Sequence, residues 1–524
     1  MYLPQRLRKI NVKIAIALGF SLMVLTFTNC SQVENQPPNI VIIYADDMGF
    51  GDLNCQNPAS KIPTPNLDRL ASGGMRFTDA HSSSGICSPS RFALLTGTYH
   101  WRRQHGIVGA FGKPFFKDSD ITLPQLLKER GYNTACIGKW HLGWDWEFKN
   151  EPSGEVMQWG RMRKFYLAKD IDWSKPITGG PLDRGFDYYF GDGTINFPPY
   201  AWMENNTFIQ VPTAVMDINN IGFDTKEGQW EFRPGPMVEG WNPYDVLPTL
   251  AKKTVAWINE RDNNKPFFLY FALPSPHAPI IPNDEFDGKS QAGGYGDFMF
   301  QTDWVIGEVL KALKKKGLEE NTIIIFSADN GPEKYAFDRA HRYDHFSMGN
   351  FRGLKRDVWE GGHHVPFIIK WPGHVEGGTV SDEVISQVDI MATVADITSI
   401  ELPENTAPDS YNLMPLIKGE SYQSPLREAT VHNTYKNKWG LRQGKWLYIN
   451  NSTGEETKMP ESFKKLRGYS DFETKGLLFD MENDPEQHVN LYEKHPETIS
   501  KMDELLQQYR EESSSIRQLR SDVK

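Results

Sequence analysis

Cysteine is scarce in this chain: 524 residues hold four, Cys30, Cys55, Cys87 and Cys136. Scattered so widely, they are no disulfide framework. Positive charge is also in deficit. Lysine and arginine number 57 against 67 aspartates and glutamates, a formal net charge of −10. That balance excludes the global basic field nucleic-acid binding needs. It repels polyanions at long range too, so an anionic substrate would need a local cluster of lysines and arginines. The apolar run from Ile14 to about Phe27 falls short of the roughly 20 residues of a membrane-spanning helix. No internal repeat or low-complexity tract occurs. Hydrophobic content of 39% and charged content of 24% describe an ordinary folded protein, long enough for two domains. The 15 Trp, 20 Tyr and 30 Phe would suit sugar stacking, though most belong to a core.

Arg6, Arg8, Lys9 and Lys13 precede the apolar run, and together they read as a secretory signal over residues 1–30. The run ends at Asn29-Cys30-Ser31. Cleavage before Cys30 would leave a lipidated cysteine that tethers the protein to a membrane, but Phe27, Thr28 and Asn29 make a poor lipoprotein box. Export to the periplasm or cell surface is the expectation, with the tether left open.

From Asn39 a pattern recurs in which a short apolar, β-branched run ends in polar residues. Asn39–Ala45 leads into Asp46-Asp47, Asn133–Ile137 into Gly138-Lys139-Trp140-His141, Phe267–Leu273 into Pro274-Ser275-Pro276-His277, and Thr322–Ser327 into Ala328-Asp329-Asn330. Helical stretches intervene at Pro65–Ser72, Leu123–Arg130, Asp245–Arg261 and Phe298–Lys315. Strand and helix in alternation predict an α/β domain with a large, mostly parallel sheet, its ligand beyond the carboxyl ends of the strands. We place this domain at 38–425. Shorter segments follow: an antiparallel sheet closed by a helix over 426–512, then a tail at 513–524. Cys136 reads as a small core hydrophobe, and Cys55 is free to pair with it if Cys87 is consumed.

Asp46, Asp47, Asp329 and Asn330 offer three carboxylates and an amide oxygen, hard ligands suited to Ca²⁺ or Mg²⁺. Cys87 opens Cys87-Ser88-Pro89-Ser90-Arg91, with Pro89 suited to a first helical turn and Gly97 to its cap. That places Cys87 at a helix N-terminus, where anions are favoured, with Arg91 one turn on.

This pentapeptide resembles the modification signature of the type I, formylglycine-dependent sulfatases in the alkaline-phosphatase-like superfamily. Pro65–Leu70, Gly74–Asp79, Leu95–Gly97, Gly138–Gly143, Pro276–Pro279, Ser327–Gly331, Gly353–Lys355, Glu360–Gly362 and Leu478–Pro485 continue the likeness over roughly residues 38–492. The resemblance implies that Cys87 is oxidised by a maturing enzyme to formylglycine (3-oxoalanine), whose hydrate attacks sulfur. It implies one Ca²⁺ held by Asp46, Asp47, Asp329, Asn330 and modified residue 87. Arg91 would stabilise the hydrate, and Lys139 and Lys355 would clasp the sulfate. His141 would serve as the base at the aldehyde hydroxyl, and His277 as the acid at the leaving oxygen. The reaction would be hydrolysis of sulfate esters on an oligo- or polysaccharide, such as algal ulvan, carrageenan or porphyran or a glycosaminoglycan. A phosphatase or phosphodiesterase of the same superfamily is the rival enzyme, disfavoured by Asn330 where those have histidine. A surface lipoprotein that binds sulfated glycans without turnover is the non-enzymatic rival. Arg102-Arg103, Trp144, Trp146, Tyr200, Trp202 and the segment 191–202 are expected to border the pocket. His341, His345, His363 and His364 flank the Lys355 motif as candidate substrate contacts.

Overall fold

The computed structural model describes residues 36–422 and 424–511. The segment 1–30 read as a signal, Cys30 and the tail at 513–524 lie outside them. Among the described residues no helix is long and apolar enough to cross a membrane.

Ten strands form the main sheet: β1 (Asn39–Ala45), β2 (Met75–Phe77), β3 (Asn133–Gly138), β4 (Tyr188–Gly191), β5 (Met203–Glu204), β6 (Thr207–Phe208), β7 (Phe267–Ala272), β8 (Thr322–Ala328), β9 (Phe367–Lys370) and β10 (Thr379–Ser381). Their spatial order is β10-β2-β9-β8-β1-β7-β3-β4-β5-β6. The central five, β8 through β4, run parallel. Antiparallel pairings flank them on both sides.

Every residue of β1, β7 and β8 is buried, as expected of strands covered on both faces. Side-chain alternation splits them between two cores. Val41, Ile43, Leu269, Phe271, Ile324 and Phe326 pack on one face with α1 (Pro65–Ser72), α4 (Val246–Asn259) and α5 (Gly293–Lys316). Ile40, Ile42, Phe268, Tyr270, Ile323 and Ile325 pack on the other with α2 (Cys87–Thr96), α3 (Leu123–Glu129) and α7 (Ile390–Ile397); α6 (Ala336–Tyr343) lies apart from both. The fold class is the expected one. Helix α5 begins five residues before the expected Phe298, because tertiary anchors override its glycines. Tyr295 donates its hydroxyl to Asp52, and Asp297 accepts from the backbone N–H groups of Gly288 and Ser290.

A four-stranded antiparallel sheet follows: β11 (Thr430–Asn433), β12 (Trp439–Gln443), β13 (Trp446–Ile449) and β14 (Leu477–Asp480). Its Val431, Leu441, Tyr448 and Leu478 pack with Met502, Leu505 and Leu506 of α8 (Pro496–Glu511) and with Ala93 of α2. This sheet therefore buttresses the helix that carries Cys87.

Register builds the site. Ala45 pairs with Ala328, Tyr44 with Ala272, and Ala272 with Gly138, so four strands end at one level. The chain then turns in each and releases its polar residues into the same volume. At Gly138, φ is +109°, and a Cβ there would lie 2.0 Å from the Ala272 carbonyl oxygen. Only glycine fits where the chain bends toward Lys139.

Candidate active site

Cys87 is the first residue of α2, fully buried, with Gly97 closing the helix at φ +62°. Burial raises the thiol pKa, against the opposing pull of Lys139 and Lys355. An inert thiol in a dry pocket is a poor nucleophile as it stands. The Cys87 sulfur and carboxylate oxygens of Asp46 and Asp329 all lie within 4.8 Å of one another.

Arg91, one turn along α2, donates Nε and Nη2 to Asp329 Oδ2 at 3.0 and 2.8 Å, and Nη1 to the Lys139 carbonyl at 3.1 Å. Lys139 Nζ contacts Asp46 Oδ2. Lys355 Nζ lies 2.7 Å from Asp47 Oδ1, and His277 Nε2 3.6 Å from Asp47 Oδ2. Asn330 donates its amide to Asp47 Oδ1 at 2.8 Å. Eight of the residues expected at the site thus meet Cys87 in one buried cluster, and His141 joins them on the cleft wall.

Two oxygens in the cluster are buried and without a hydrogen-bond partner among the described residues: Asp46 Oδ1 and Asn330 Oδ1. Burial, and then the charge of Asp46, lifts Asp329 to about 7. Asp46 goes the other way: burial opposes its charge, but Lys139, His277, Arg91 and Lys355 together hold it well below the carboxylate range. Crowded carboxylates with orphaned oxygens fit a hard divalent cation, which would supply the charge that neighbouring acids lack. Asp47 and His141 both adopt left-handed backbone conformations, φ 60° and 52°. Such strain in non-glycine residues persists where the surroundings over-determine it.

The His141 ring donates from Nε2 to the Val108 carbonyl at 2.9 Å, which leaves Nδ1 a lone pair with no partner among the described residues. Burial, then Lys139, keeps this imidazole neutral, well below its ordinary pKa. His277 is also lowered, by burial and then Lys355; its Nδ1 is tied to the Ala278 carbonyl.

The cleft above holds His141, His277 and Lys355, with Asn196 and Phe197 of the expected 191–202 segment, together with residues that sequence reasoning missed: Arg233, Arg356 and Tyr435. Arg356 makes two hydrogen bonds to Glu333, at 2.8 and 2.6 Å. No motif advertised these residues; they come from three distant segments that meet only in the fold.

Other expected pocket residues lie elsewhere. Arg102 pairs with Asp409 and Arg103 with Asp120. Tyr200 is buried and donates to the Arg233 carbonyl at 2.7 Å, while Trp202 stacks on Phe190, so of 191–202 it is Asn196 and Phe197 that face the cleft. Trp144 and Trp146 wall a narrow side recess beside His141. His345 bonds to Asp52, and His364 to Glu360 and the Thr78 carbonyl. His363 stacks on His432 at 3.7 Å and meets His81, and His341 is exposed on α6. Cys55 and Cys136 are both free.

The sulfatase family model matches residues 38–400, and a model described as the C-terminal part of N-sulphoglucosamine sulphohydrolase matches 349–513. The chain belongs to the sulfatase family and is a sulfuric ester hydrolase. It is 32% identical to an N-acetylgalactosamine-6-O-sulfatase of Bacteroides thetaiotaomicron, over 92% of this chain and 96% of that one. It is 30% identical to the human N-acetylgalactosamine-6-sulfatase, over 91% and 86%. A solved sulfatase structure from a Bacteroides thetaiotaomicron locus for metabolism of multiple glycosaminoglycans superposes with a TM-score of 0.76, at 31% identity, covering 91% of this chain and 100% of that one.

Proposed function

We propose that this sulfatase removes 6-O-sulfate from N-acetylgalactosamine-type residues of glycosaminoglycans, using an oxidised Cys87 and one Ca²⁺, outside the cytoplasm. Near-full-length likeness to two enzymes named for that sugar supports the substrate. The basic and apolar segment at Arg6–Phe27 supports export. The observation that carries the chemistry is Cys87, buried at a helix N-terminus among Asp46, Asp329, Lys139 and Lys355.

Asp46, Asp47, Asp329 and Asn330 would hold the cation through oxygen. When bound, Ca²⁺ would polarise an oxygen on residue 87, and the aldehyde made from the Cys87 thiol would provide that oxygen. The remaining work falls to the side chains. Lys139 and Lys355 bind and neutralise the sulfate oxygens, stabilisation that strengthens in a water-poor cleft. Arg91, fixed by Asp329, holds positive charge at the base of the pocket. Because the Nδ1–H of His277 is spent on the Ala278 carbonyl, its Nε2 gives a proton to the departing sugar oxygen only from the imidazolium, the form favoured by Asp47 3.6 Å away and by a bound sulfate, whereas His141 Nδ1 is a lone pair ready to accept a proton. Phe197 and Tyr435 line the cleft with aromatic rings.

The test uses protein co-expressed with a sulfatase-maturing enzyme. Sulfate release is followed on N-acetylgalactosamine 6-sulfate, its 4-sulfate, N-acetylglucosamine 6-sulfate and the matching phosphate ester. Preference for the first is expected; faster release from either other sulfated sugar would overturn the sugar assignment. Intact mass of the peptide holding residue 87 should fall by roughly 18 Da from the thiol form. Full activity with the thiol retained would overturn the nucleophile.

A further inference from the structure

A second cleft adjoins the first, and Phe197 and Arg233 line both. It encloses about 420 Å³, within the range of sugar-sized sites. Its outer wall is an antiparallel hairpin, Gly154–Gln158 paired with Arg161–Phe165. Three observations set this hairpin apart from ordinary surface.

Its two-residue turn is Trp159-Gly160, with φ 52° and 72°. Turns of this kind favour asparagine, aspartate or glycine, so a tryptophan here is strained. Trp159 is also 46% exposed, which its packing within the fold does not require. Both Arg163 and Arg233 stack on its ring, at 4.3 and 4.4 Å. Two guanidinium groups held at one indole repel each other, and an anion within reach of both would relieve that repulsion.

Two of the three cations are also unmatched, while Arg233 reaches Glu231 at 3.6 Å. Arg163 and Lys164 line the cleft with no ion pair among the described residues, and Arg163 Nε is buried without a partner. Gln158 is 6% exposed and donates Nε2 to the Phe232 carbonyl, yet its Oε1 has no partner. A buried acceptor and a buried donor, both orphaned beside an exposed aromatic face, make a built polar site. In a chain with a net charge of −10, three cations line this one cleft.

We infer that this second cleft is a subsite for an anionic sugar ring neighbouring the sulfated residue, held beside Trp159 by Arg163, Lys164 and Arg233. The assignment rests on the glycan reading above. Carboxylate of a uronic acid and a second sulfate share the required chemistry.

The test compares matured enzyme on N-acetylgalactosamine 6-sulfate with chondroitin-type oligosaccharides carrying that residue at either end. Three oligosaccharide forms are used: native uronate, carboxyl-reduced, and carboxyl-reduced with a second sulfate on the neighbouring ring. The native or doubly sulfated form should exceed the monosaccharide in kcat/KM by at least about tenfold, chiefly through KM, the worth of one charge-assisted contact. Which of the two does so names the anion, and the plain reduced form should lose the gain. Arg163→Ala should cut kcat/KM on the oligosaccharide about tenfold more than on the monosaccharide, with Arg163→Lys recovering part. Equal losses on both, or no oligosaccharide preference, would overturn the subsite. Should no N-acetylgalactosamine sulfate be cleaved, calorimetry of Cys87→Ala protein with unsulfated chondroitin and with carboxyl-reduced, sulfated chondroitin still reads the cleft. Binding of either that Arg163→Ala weakens upholds it, and binding of neither overturns it.

Discussion

At the scale of single residues, the site is a balance of buried charges, and each member has a distinct signature. Removing the Cys87 sulfur deletes one small buried atom, so Cys87→Ala should fold normally while sulfate release falls at least about 10³-fold, the expected loss for a nucleophile. Circular dichroism beside an activity assay checks both halves. Asp329 touches the Asp46–Cys87 cluster and Arg91 at once. Chelation with EDTA should abolish turnover and added Ca²⁺ restore it. Asp329→Asn, which deletes one ligand charge, should raise the Ca²⁺ concentration needed by about 10-fold or more. Activity indifferent to chelation would remove calcium from the account. Much of this cluster was legible in the chain, because Asp46-Asp47, Lys139, His277 and Asp329-Asn330 each follow an apolar run. Arg233, Arg356 and Tyr435 were not, since isolated polar residues in loops carry no period.

At the scale of elements, the parallel strands act as rulers. Because β1, β3, β7 and β8 pair in register up to their last residues, a shift of one would carry Asp46 or Lys139 to the opposite face. Gly138 is the tightest point in that arrangement. Gly138→Ala would drive a methyl into the Ala272 carbonyl and strain a positive φ. We expect a loss of about 2–3 kcal/mol or more, read as a lower thermal midpoint, together with lost activity through Lys139. A variant of unchanged midpoint would refute the close approach. The four strands that end at the site were readable from apolar, β-branched runs, whereas the hairpin at 154–165 was not. Its Arg161-Met-Arg-Lys164 run, in a chain short of positive charge, was the available signal.

At the scale of the whole molecule, stability should depend on pH through histidines buried without charge. Burial, with His81 adding to it against Glu360, lowers His363 to about 3. Burial, then His363 and His81, lowers His432 well below its usual value, and burial lowers His100 to about 3. In the unfolded chain these groups bind protons near pH 6.5, which the folded protein refuses. Their stabilising contribution is therefore complete above that pH and is lost as pH falls below it. The slope is about 1.4 kcal/mol per pH unit for each histidine. The thermal midpoint should drop steadily from pH 7 to pH 5. A flat profile would mean that these imidazoles take up protons in the folded state.

From the amino-acid order alone came the α/β class, the strand ends and the Cys87 helix, and the motifs that resemble the sulfatase family named the residues that meet around Cys87. Those signals are local: periodicity, a turn residue, a motif a few positions long. Only the tertiary structure decided that Arg102 and Arg103 serve ion pairs, that Tyr200 and Trp202 pack inward, and that Arg233, Arg356 and Tyr435 shape the cleft. Such choices depend on which distant segments touch, and contact between residues hundreds of positions apart leaves no trace in the pattern of either neighbourhood.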